Sequence, residues 1–166
     1  MKLFQQVKEI RSQQGELHFQ RYAIIETHKW ALYIHRIYKE DKDEHLHSHP
    51  WNFMSVILWG AYIEQYAPEY NRMRVKCEGS FSKADRNYFH KIVDILRGPV
   101  TTLFFTWGTH QPWHYWVKGE KVESTEYRKQ KNIARMAQEV AHKIDAQIVK
   151  KLQEQIPVLE NRKILR

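Results

Sequence analysis

The chain has 166 residues, a formal net charge of +8, 13% aromatic residues, six Gly, five Pro and one Cys. A chain this aromatic and this poor in Gly and Pro is not disordered, and its length suits one domain with an appended element. The lone Cys77 excludes an internal disulfide and a Cys-rich zinc site. No apolar run approaches the roughly 18 residues of a membrane span. Met1–Lys8 turns polar too soon for a secretory signal, so a cytoplasmic, reducing setting with no membrane partner is expected.

The apolar positions Leu3, Phe4, Val7 and Ile10 have helical spacing and predict a short amphipathic helix over Met1–Gln14, ended by Gly15. Leu17–Glu26 and Trp30–Tyr38 read as strands, rich in β-branched and aromatic residues. Phe53–Trp59 is a third strand, and Gly60 marks a bend or close approach before the returning strand Ala61–Tyr66. Arg72–Cys77 follows as a strand, then a connection over Glu78–Arg86. Next come Tyr88–Leu96, a turn at Arg97-Gly98-Pro99, Thr101–Trp107, and a final pair from Pro112–Val117 and Lys121–Thr125. So many short strands separated by turn signals predict a mainly β chain, an antiparallel barrel or double-sheet jelly roll.

The period then changes. Ile133, Met136, Val140, Ile144, Ile148 and Leu152 recur every three or four residues, predicting one long C-terminal amphipathic helix stopped near Pro157. The composition shift sets a boundary at Tyr127: a β domain over 1–127 and a basic helical extension over 128–166. The extension holds ten Lys/Arg against four Asp/Glu, a net +6, whereas the first 127 residues carry only +2. A basic helix attracts anionic surfaces or is simply a solvated face. It lacks interleaved aromatics, so nucleic acid is not an expected partner.

The loop Lys39–Glu44 delivers His45, His47 and His49, each one residue from the next. In an extended segment such positions share a face, so two of the three can hold one metal ion. A solvated histidine cluster without metal is the alternative. The block His47-Ser48-His49-Pro50-Trp51, with Phe53, Ser55, Ile57-Leu58, Gly60, Tyr62 and Glu64 downstream, resembles the first motif of the cupin superfamily. It is most similar to bacterial and phage cupin-like proteins. Tyr88-Phe89-His90-Lys91-Ile92, Thr101-Thr102-Leu103 and Trp107-Gly108 resemble the later parts of that pattern, so the match spans roughly residues 33–117.

The resemblance implies a small barrel in which His47, His49 and the distant His90 bind a divalent transition ion, with Fe, Mn, Zn and Ni all open. The family's usual Glu ligand is missing, because Phe53 and Met54 occupy its place. Three neutral imidazoles would then leave the charge uncompensated by protein and positions open for water or substrate. Glu64 is either a remote carboxylate or a surface strand residue. His45 is a fourth ligand, a donor behind the ligands, or a rim residue.

His110 and His114 bracket a Trp-rich loop that either closes a pocket or packs the barrel end. Trp51, Phe53, Trp59 and Trp107 read as core, Cys77 as a small strand residue, and Arg36 and Arg86 as candidate anion contacts. Two functions follow. One is a metal-dependent enzyme on a small-molecule substrate, of oxygenase, isomerase or lyase type. The other is a phage-type structural or assembly protein, virion-associated, whose helix docks on a partner. For this second function, residues 133–148 resemble a helical segment of tailed-phage structural proteins, and the helix equally suits homo-oligomer formation.

Overall fold

β-strands occupy most of the first 123 residues, as their β-branched and aromatic content requires. A computed structural model describes residues 1–68, 71–108 and 111–163, with side chains as far as residue 151. The strands are β1 (Lys2–Arg11), β2 (Leu17–Glu26), β3 (Trp30–Ile37), β4 (Asn52–Tyr66), β5 (Arg72–Cys77), β6 (Phe81–Ala84), β7 (His90–Trp107), β8 (His114–Val117) and β9 (Glu120–Glu123). The helix α1 (Ser124–Lys163) follows. The main sheet has the order β1-β2-β3-β7-β4-β5, with β6 also on β4; β8 and β9 form a hairpin. Every pairing is antiparallel. The hydrogen-bonded path among the described strands runs from β1 to β5 without returning, so the expected barrel is not closed by its ladders.

The N-terminal helix expected over Met1–Gln14 is a strand. β1 pairs along the whole of β2, and its register slips between Gln6 and Lys8. Val7 is therefore a bulged extra residue that packs on the core. The slip breaks the two-residue period, and the three- and four-residue spacing left behind imitates a helix.

Gly60 does not reverse the chain either. It takes φ +94 within the continuous strand β4, amid register shifts at Ile57/Trp59 and Trp59/Ala61. A Cβ there would lie 2.5 Å from the carbonyl oxygen of Arg97, so glycine permits the close approach of two strands. β7 likewise runs straight through the expected turn at Arg97-Gly98-Pro99, and the expected connection over Glu78–Arg86 contains β6. Long, bent β4 and β7 thus replace two expected hairpins. α1 continues past Pro157 to Lys163, since proline removes one intrahelical bond and bends a helix more readily than it stops one.

Two apolar clusters lie along these strands. Ala23, Ala31, Tyr33, Phe53 and Phe104 form one, with the Phe53 and Phe104 rings stacked at 4.9 Å. Ile57, Tyr62, Ile92 and Val100 form the other. Each large side chain buried there contributes about 1.5–3 kcal/mol. Trp59 was expected in this core, but it is 44% exposed, with Arg97 over its ring.

The chain divides into two compact units, Met1–Ser124 and Thr125–Arg166. In the second, Ile133, Met136, Val140, Ile144 and Ile148 form a stripe in which every member is at least 50% exposed. Among the described residues no helix is long and apolar enough to cross a membrane.

Candidate metal centre

The segment after the bend at 42–45 is extended. Leu46 and Ser48 are buried on one side, so His47 and His49 project together on the other. Backbone bonds hold this rung from both flanks. His47 N–H donates to the His90 carbonyl at 2.9 Å, and His90 N–H returns the bond at 3.0 Å. On the opposite flank Ser48 N–H donates to the His114 carbonyl at 2.8 Å, and Trp116 N–H to the Leu46 carbonyl at 2.9 Å. The Ser48 hydroxyl accepts from His114 N–H at 3.0 Å. Three segments far apart in sequence therefore fix one imidazole cluster.

Each of His47, His49 and His90 offers one ligand atom, and these atoms lie within 4.8 Å of one another. The ring centroids are 5.0–5.4 Å apart. His49 Nε2 faces His90 Nε2 at 2.8 Å. Two neutral lone pairs repel at that distance, so a proton or a shared cation lies between them. Metal–nitrogen bonds of about 2.0–2.1 Å meeting at 90–109° place donor atoms about 2.9–3.4 Å apart, close to this geometry.

The site has a carboxylate, but behind one imidazole rather than within the cluster. Pairing sets Tyr66 opposite His90 and Glu64 opposite Ile92, so Glu64 lies one step along the same face. Glu64 Oε1 accepts from His90 Nδ1 at 2.7 Å, and Oε2 accepts from Arg74 Nε at 2.7 Å. Arg74 Nη2 also donates to the Tyr88 hydroxyl at 2.6 Å. Burial pushes the Glu64 carboxyl up, but the His90 and Arg74 contacts outweigh it and hold it at about 2. With its Nδ1 proton engaged by Glu64, His90 turns the Nε2 lone pair toward the cluster. Glu64 is 2% exposed, so the surface alternative is excluded and an anionic charge stands one imidazole from the centre of the cluster.

Burial pulls His47 down to about 4 and His49 well below the usual imidazole range. Both are neutral at pH 7, the form that ligates metal. Phe53 and Phe104 wall His49 at 5.0 and 6.2 Å, while Trp113 and Tyr115 cover His47 at 5.7 and 6.4 Å. The Tyr115 hydroxyl is anchored on Asp43 Oδ2 at 2.5 Å.

His45 lies in the bend, outside the convergent cluster. His110 lies outside the described residues. His114 belongs to β8 rather than a loop, contributing its backbone to the Ser48 rung. Arg36 is exposed on the outer face and lies over Tyr38, and Arg86 is tied by its backbone N–H to Asn52 at 3.2 Å. Sequence reasoning passed over Arg74 and Arg21, whereas Trp113 and Tyr115 belong to the Trp-rich stretch read as closing a pocket or packing the barrel end. For Arg21 a signal existed: it alternates with Phe19 and Ala23, which puts a cation on the apolar face of β2.

No protein-family model matches the chain, and no curated protein matches it by sequence. Its fold does match solved structures. The polyketide cyclase RemF from Streptomyces resistomycificus aligns with a TM-score of 0.51 over 62% of this chain and 74% of the cyclase, at 13% identity. The Fe(II) form of HppE aligns with a TM-score of 0.50 over 60% of this chain at 8% identity, and the match spans 56% of HppE. At such identities the likeness is one of fold alone, and the mainly antiparallel β architecture of this chain is consistent with a cupin-like fold.

Proposed function

We propose that this protein is a metal-dependent enzyme acting on a small molecule, with His47, His49 and His90 holding one divalent transition ion, Fe, Mn, Zn or Ni. The convergence of three imidazoles from two distant segments, one of them backed by buried Glu64, carries this reading. The donor set fits such an ion: all three rings are nitrogen donors, and two of their nitrogens already face each other.

When bound, the ion supplies Lewis acidity or, if redox-active, electron transfer at positions the three rings leave open. The chain's own residues do the rest. Glu64 keeps the His90 proton on Nδ1 and orients the ring. Arg74 holds Glu64 ionised. Phe53, Phe104, Trp113 and Tyr115 exclude water from the ligand rings. The fold likeness to RemF and HppE is compatible with this chemistry and does not select a reaction.

Elemental analysis of chelator-treated protein after reconstitution tests the reading. The expected result is about one ion per chain, abolished in a His47→Ala/His49→Ala variant that remains folded. Wild-type protein that takes up none of the four metals overturns it.

The exposed stripe of α1 favours an additional role for residues 128–166. We propose that this basic helix associates with a second copy or a partner protein, while residues 1–127 carry the centre. Sedimentation of the full chain against an Ile133→Gln/Val140→Gln variant checks this. A monomer in both cases, with no bound partner, removes the role.

A further inference from the structure

A second polar cluster lies on the inner face of the sheet, separate from the three histidines. Strand pairing sets Lys8 opposite Arg21, Arg21 opposite His35, and His35 opposite Thr102, a row across β1, β2, β3 and β7. Alternation puts Arg21, His35 and Thr102 on the same face as Ala23, Tyr33 and Phe104, which is otherwise apolar core. His35 is 5% exposed and Thr102 3%.

Arg21 is a half-buried cation on this otherwise apolar face. Its Nε donates to His35 Nε2 at 3.0 Å. Its guanidinium lies 4.8 Å from the Tyr33 ring centre, 5.5 Å from Trp51 and 5.7 Å from Phe19. Glu26, whose charge reaches it, is engaged elsewhere, accepting from the Tyr33 hydroxyl at 3.0 Å and pairing with Lys2 at 3.1 Å. Among the described residues, the Nη nitrogens of Arg21 have no hydrogen-bond partner. Thr102 Oγ1, in the same row, is buried and also lacks one. A purely structural core gains nothing from a cation without a bonded carboxylate or from an orphaned hydroxyl. A bound anion pairs with the guanidinium, and Thr102 stands one strand further along the row, beyond His35.

The geometry also selects the ligand. With Nε fixed by His35, the Nη pair presents the end-on fork that matches two oxygens of a carboxylate or phosphate. The row leads to the histidines. Arg21 flanks Trp51, two residues beyond His49, and the Phe104 ring bridges His35 at 4.5 Å and His49 at 6.2 Å.

We propose that Arg21 is the anion-binding residue of the inner face, holding the carboxylate or phosphate of a small organic anion whose other end reaches toward His47, His49 and His90. This deepens, and in its second half rests on, the reading of those histidines as a metal centre.

The test titrates succinate and inorganic phosphate separately into the full chain, both chelator-treated and zinc-loaded, by calorimetry and by the Arg21 Nε–H signal in NMR. Saturable binding that moves this signal is expected, weakened about tenfold or more in Arg21→Gln, as for loss of a charge-assisted bidentate pair. Tighter succinate binding identifies a carboxylate ligand, and tighter phosphate binding a phosphoryl one. If Arg21→Gln does not fold, the wild-type Nε–H titration and an Arg21→Lys variant, which keeps the charge and loses the fork, carry the test. No saturable binding of either probe, or unchanged affinity in a folded variant, overturns the proposal. Zinc content is measured on the same sample. Missing zinc, with no uptake of Fe, Mn or Ni either, counts against the histidine centre, and missing anion binding against Arg21.

Discussion

Two enclosed imidazoles on this sheet, those of His35 and His90, are polarised in opposite directions. His90 gives its Nδ1 proton to the carboxylate of Glu64 and so aims a lone pair at its neighbours, an arrangement that favours a cation. His35 instead accepts a bond from the guanidinium of Arg21, which leaves a forked cation beside it, an arrangement that favours an anion. The strands are similar, with His35 buried and His90 half-buried; the charge standing behind each ring differs. Histidine is therefore not read by its own identity. The group at its far nitrogen decides what it binds.

The contrast can be broken by substitution. The largest effect is expected for His47→Ala/His49→Ala, which removes two of three donors and takes metal content from about one ion per chain to none, measured by elemental analysis. Next is Glu64→Gln, which keeps the shape behind His90 and removes the charge. Metal affinity should fall about 10–100-fold in competition with a chromophoric chelator. An unchanged affinity would mean that the carboxylate only fills space.

Acid stability of the metal-free protein comes third. The folded pKa of His47, about 4, lies below its ordinary 6.5, so the unfolded chain takes up the proton first. The stabilisation from the neutral ring is complete above pH 6.5 and is lost as pH falls toward 4, by up to about 3 kcal/mol. His49 acts in the same direction. Glu64, held at about 2 against 4.5, adds a further decline between those values. Thermal midpoints measured from pH 7.5 down should therefore start to drop near 6.5; a flat profile to pH 4.5 contradicts the buried neutral rings.

The smallest effect sharpens the comparison. Arg21→Gln removes a positive charge from near the centre without touching a ligand, so metal affinity should stay within about threefold, on the scale of a screened charge interaction. A loss as large as that of Glu64→Gln would merge the two clusters into one site.

Much of this was legible in the residues. β-branched and aromatic content between turn residues marked β2 and β3, and Arg72–Cys77 was read as β5, each to within a residue, while the three- and four-residue spacing of Ile133 through Ile148 marked α1. The His47–His49 pair was visible as a local motif. His90 came through family resemblance, since nothing local ties it to a segment 41 residues earlier.

What misled was local too. A bulge at Val7 made β1 look helical, and Gly60 and Gly98-Pro99 looked like turns, although Gly60 serves the close approach of two long strands and Gly98-Pro99 lies within the continuous strand β7. The sequence by itself determined the mainly β character, the helical extension and two of the three convergent histidines. Only the tertiary structure decided that Glu64 stands behind His90 and Arg21 beside His35. Cross-strand register chooses those partners, and register is set by the packing of whole sheets rather than by any short stretch of chain.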